Sequence, residues 1–178
     1  MFHSNTELLI DCWRAKKGGA ALPPRARIDP VEFAALLPQV FIVERGEHGR
    51  WPLRLAGELI AAVHGPTLRG ADLIGLWAPG HRAPLQRALE AALAAPDFLV
   101  VSADAATAEG DVRRLEILFA PISGPSGLAD RLLGLYQPLT PRPGFGARGL
   151  GELHMRAIGG GEQRPRPRLA AVDGRQIA

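Results

Sequence analysis

Residues 50–77 read RWPLRLAGELIAAVHGPTLRGADLIGLW, and this stretch decides the architecture. Trp51 to Ala56 reads as a strand. Glu58 to Val63 has the spacing of a short helix, closed by Gly65. Leu68-Arg69-Gly70 then turns the chain into a second short helix carrying Leu73, Leu76 and Trp77. Helices this short do not stand alone in water, so they must fold over a sheet supplied by the rest of the chain.

Upstream, Ser4 to Lys17 predicts a helix, with Ser4 as its cap, Glu7 three residues on, and Lys16 and Lys17 at its end. Leu8, Leu9, Cys12 and Trp13 share a face, so this helix is either a lid on its own sheet or a dimer helix with Leu8, Leu9 and Trp13 at the interface. Ala20 to Pro30 is an extended, proline-containing connector. Asp29 caps a helix that begins at Pro30, runs through Phe33, Leu36 and Leu37, and stops before Pro38. Val40 to Arg45 is the first strand of the core, antiparallel to Trp51–Ala56.

Downstream, Pro79 to Ala95 gives the longest helix, with Leu85, Leu89 and Leu93 in one stripe. Three strands follow: Asp97 to Ala105, Val112 to Ile122 and Arg131 to Pro138. Turns at Glu109-Gly110-Asp111 and Ser123 to Gly127 join them as a meander. The expectation is an α+β domain, a five-stranded antiparallel sheet with helices on one face, plus an N-terminal helical extension. Residues 1–38 are the extension, 39–139 the domain and 140–178 a tail.

Of the 178 residues, 47% are hydrophobic, enough for a packed core. No apolar run approaches the roughly 20 residues of a membrane span, and there is no signal-peptide pattern, so a cytoplasmic location is expected. The net charge of +3 is unevenly placed: the chain to Thr140 carries −1, and the rest +4. A basic nucleic-acid-binding face on the folded body is therefore not expected, and nucleic acid enters only through the basic tail. That tail is rich in Pro, Gly and Arg, includes RPRPR at 164–168, and is expected to be disordered. Leu150 to Ile158 is its one patterned segment, a strand or short helix on a neighbour.

The ordered blocks resemble the PAS domains, small sensory and interaction modules, and more narrowly an alphaproteobacterial group of stand-alone PAS-like proteins. The blocks are Cys12-Trp13-Arg14, Lys17-Gly18-Gly19, Leu22-Pro23-Pro24-Arg25, Ile28-Asp29-Pro30 and Leu36-Leu37-Pro38, then Arg54-Leu55-Ala56-Gly57, His64-Gly65 and Leu68-Arg69-Gly70. His64 stands where that pattern has an aromatic, and Glu58 where it has a small hydroxyl. The resemblance implies a non-enzymatic regulator that binds a small molecule or a signalling partner, and it implies a homodimer.

The expected cavity lies between helices and sheet, lined by Leu55, Ile60, Val63, Trp77, Leu89, Phe98, Val100, Ile117 and Phe119, with Leu73 beside them. Arg54 and His64 would offer a polar contact to a small apolar or amphipathic ligand. The competing reading is a core simply filled by these side chains, leaving a protein-interaction adaptor. A cup-fold isomerase or lyase would need an acid inside; Asp104 has inward parity, whereas Glu116 is expected at solvent or a partner. No catalytic or metal-ligating set stands out. Haem is not expected from the single His81 at a helix start, nor flavin, because Cys12, the one cysteine, is in the N-terminal helix.

Overall fold

The computed structural model of the chain describes residues 1–139 and 149–160. Three α-helices appear, α1 Ser4–Lys17, α2 Glu58–His64 and α3 Pro79–Ala94, among the described residues. The strands are β1 Val40–Glu44, β2 Leu53–Ala56, β3 Leu99–Thr107, β4 Val112–Ser123, β5 Ala129–Pro138 and β6 Leu150–Gly160. Short 3-10 segments include Pro30–Gln39 before β1 and Leu73–Leu76 before α3.

The sheet has the order β2-β1-β5-β4-β3-β6, and every neighbouring pair is antiparallel. β3, β4 and β5 form the expected meander, and β1 closes on the last strand of it. The sheet has six strands rather than five. The added strand, β6, falls in the segment read as a disordered tail; the rest of that tail, 140–148 and 161–178, lies outside the described residues. Burial explains the exception: Leu153 alternates into the core at 1% exposure, which an isolated Pro/Gly-rich reading of the segment cannot register.

Both faces of the sheet are covered. On the inner face, under α2 and α3, Phe41, Val43, Leu99, Val101, Ile117, Phe119 and Tyr136 meet Ile60, Val63, Trp77, Leu85 and Leu89. On the outer face, Val40, Ile42, Phe98, Val100, Leu118, Ala120 and Leu135 meet Leu9, Ile10 and Trp13 of α1, with Phe33 and Leu36. Burying both faces gives the central strands apolar residues at nearly every position, so hydrophobicity alone does not say which parity points inward.

That ambiguity corrects two expectations. Phe98 and Val100 do not face the cavity; they belong to the outer face, with the Phe98 ring edge-on to Trp13 at 6.4 Å. Leu99 and Val101 pair with Phe119 and Ile117 and take the inward places instead.

The N-terminal helix is the lid of the two readings. Leu9 and Trp13 are buried in their own chain, and the Trp13 indole N–H donates to the Pro121 carbonyl at 2.6 Å. They are therefore not free for a dimer interface, and only Leu8 of that trio is exposed. The cap also differs from expectation: His3 Nδ1 accepts from the Asn5 N–H at 3.1 Å, and Glu7 reaches back to the Phe2 N–H at 3.2 Å. Asp29 does cap its segment, accepting from Val31 N–H at 2.9 Å, but the segment winds as a 3-10 helix with a break at Phe33.

Candidate functional site

The space between helices and sheet converges on Phe41, Leu53, Ile60, Leu73, Leu76, Trp77, Ile117, Tyr136 and Leu153. β1 and β4 supply the floor through Phe41 and Ile117, α2 the roof through Ile60, and β6 one wall through Leu153. What remains open is a cavity of about 10 Å³. That is about the room a single water needs, and far below a small-molecule site of roughly 300 Å³ or more.

One polar pair is built into this core. His64 is the last residue of α2, and Gly65 ends the helix with φ +102°, a conformation few side chains tolerate. The imidazole Nε2 lies 2.8 Å from the Tyr136 hydroxyl, with the rings edge-on at 5.6 Å. Burial lowers the His64 pKa to about 4, and burial raises that of Tyr136 above its ordinary value. Both groups are therefore neutral near pH 7, and one hydrogen bond joins them. Among the described residues that line the cavity there is no carboxylate, lysine, serine or cysteine.

Two further donors are buried nearby. The indole N–H groups of Trp51 and Trp77 have no hydrogen-bond partner among the described residues, and both side chains are 0% exposed. An unmet buried donor costs about 1–3 kcal/mol.

The expected site residues divide. Ile60, Val63, His64, Trp77, Leu89, Ile117 and Phe119 do gather under the helices. Arg54 and Leu55 do not: both are exposed on β2, and Arg54 pairs with Glu44 at 2.5 Å. Leu53 of the same strand pairs with Val43 and faces the cavity, but a register shift follows, and Leu55 pairs with Ile42 of the outer face. Asp104 lies on the outer face, 2.9 Å from Arg156, rather than inward. Glu116 is 6% exposed rather than solvated, and accepts from the His3 N–H at 2.9 Å beneath the start of α1. Tyr136 and Leu153 were missed. Tyr136 sits directly opposite Ile117 in the ladder, so its inward parity follows once that register is known.

On the outer face lies a groove of about 270 Å³ between Ser102, Asp104, Arg114, Leu139 and Arg156. Among the described residues no group of three potential metal ligands occurs, and no helix is long and apolar enough to cross a membrane.

Comparison with known proteins gives the family. A solved LOV protein from Rhodobacter sphaeroides is similar over 67% of this chain and 73% of its own, at 16% identity and a TM-score of 0.46. No curated protein is significantly similar in sequence. The family profile described as PAS domain matches residues 1–137. The chain belongs to the PAS domain family, whose members are sensory and regulatory modules.

Proposed function

We propose that this is a non-enzymatic PAS regulatory domain that works by docking a signalling protein, with its core filled by its own side chains. The observation that carries the reading is the cavity of about 10 Å³, which leaves no room for a small molecule without rearrangement. The polar pair in the core, His64 and Tyr136, satisfies itself instead of waiting on a ligand. No haem or flavin is invoked, and the protein is read as cytoplasmic and homodimeric.

The docking surface is assigned to what α1 leaves open on the outer face. Leu8 is 45% exposed on α1, and Arg114 and Arg156 border the groove on the sheet. A photo-crosslinker placed at Leu8 in the full chain should capture the same partner repeatedly, whereas one at buried Leu9 should not. Equal capture from both positions contradicts the assignment.

A second reading has one observation in its favour. The unmet N–H of Trp77, a residue that lines the cavity, would be satisfied by a small apolar ligand bearing one acceptor. A thermal-shift panel of apolar and amphipathic molecules separates the two. A filled core gives no concentration-dependent rise in Tm; a saturable rise favours the ligand reading.

A further inference from the structure

β6 lies beyond residue 137, where the match to the PAS domain ends, yet it completes the core. It pairs with β3 from Leu99↔Gly160 to Thr107↔Leu150 and sends Leu153 into the cavity wall. Without β6, the backbone edge of β3 would be unpaired beside an apolar inner face. A bare apolar edge is a template for another strand.

The hold on β6 is uneven. Its ladder to β3 is interrupted by two register shifts, at Ser102/Ala103 and Ala105/Thr107. Across its other edge it is fixed around Leu153, which bridges Trp77 and accepts from the Ala78 N–H at 3.0 Å. The flanking contacts are the Arg82–Glu152 pair at 3.4 Å and the His81–His154 ring contact at 5.6 Å. An exposed ion pair of that kind contributes little.

Every one of these contacts joins β6 to the PAS-matched part of the chain, so the β6 of a second copy can make the same set. Residues 139–149 connect β5 to β6, and fully extended they reach about 36 Å. That is more than twice the radius of gyration of about 15 Å for a domain of this size.

We propose that β6 is an exchangeable strand: the β3 edge and its Leu153 slot accept β6 from a second copy, so that each chain supplies the other's Leu153. This deepens the protein-contact reading by naming one partner and its interface. Exchange carries Arg156, one border of the outer-face groove, along with β6, whereas Leu9 and Trp13 stay buried in either arrangement.

The test uses the full chain with Cys12→Ser, which removes the native thiol. Ser102 and Ala157 are direct partners across β3 and β6, and such pairs lie close enough for a disulfide. Ser102→Cys and Ala157→Cys chains are mixed at millimolar concentration and oxidised. Exchange gives a covalent S102C–A157C heterodimer at least tenfold above a V31C–A157C control, Val31 being exposed elsewhere at 79%. A heterodimer no more abundant than that control overturns the proposal. The double variant S102C/A157C, oxidised when dilute, guards the geometry. It must lock within one chain, because failure to lock would mean that β6 does not dock on β3 at all, which also overturns it. Neither result bears on the ligand panel, so failure here is distinguishable from failure of the filled-core reading.

Discussion

His64 and Tyr136 meet at 2.8 Å across the core, one at the end of α2 and the other near the end of β5. The contact ties a helix of the roof to the floor of the sheet through two groups that burial keeps neutral.

The pH dependence of stability follows. The folded His64 takes up a proton only near pH 4, whereas the unfolded chain does so near 6.5. Below 6.5 the unfolded state therefore binds more protons, and it gains relative to the fold. The contribution is fully present above pH 6.5, is lost as pH falls towards 4, and amounts to about 3 kcal/mol at most. Urea unfolding at pH 7 and pH 5 should show a loss of about 2 kcal/mol that His64→Phe removes. An unchanged pH difference in that variant would show that His64 is not its source.

Tyr136→Phe keeps the ring and deletes the hydroxyl. It leaves the half-buried His64 nitrogen without this partner, and should cost about 1 kcal/mol. Combining it with His64→Phe should cost less than the two changes summed, since the pair is lost together. Denaturant melts of the two single variants and the double variant measure this directly.

Trp13→Ala should destabilise by about 3–5 kcal/mol, because it opens the outer core beside Phe98 and frees the Pro121 carbonyl. Leu8→Ala should change stability by less than about 0.5 kcal/mol. The contrast separates packing from interface on one helix, and thermal denaturation reads it.

Leu153→Ala should cost about 2–5 kcal/mol, the value for a core leucine, even though the residue lies outside the PAS-matched region. A change near zero would mean that β6 is not part of the folded core.

Much of the fold was legible because it rests on local signals. Asp29 before Pro30, Gly65 after His64, and the leucine stripe of α3 each mark an element by its own chemistry. The facing of β3 was misread: Ser102 and Asp104 share the parity of Phe98 and Val100 and mark the outward side, but α1 buries Phe98 and Val100 there, so their apolar character pointed the other way. The outward fate of Leu55 depends on the register shift that pairs it with Ile42 while Leu53 pairs with Val43, which their own sequence does not show. His64 was readable as turned towards the sheet, but its partner was not, since Tyr136 is distant in the chain and is placed only by the register with Ile117. The patterned segment Leu150 to Ile158 was legible as a strand or short helix, but its place on the β3 edge of its own sheet was not, because that too is a matter of distant pairing.

The central claim is that the core is filled. Native mass spectrometry of the full-length protein, set against its denatured mass, tests it most directly. A filled core gives native masses that are whole multiples of the polypeptide, with nothing released on denaturation. A reproducible small-molecule adduct, present in the native protein and lost on unfolding, would contradict it.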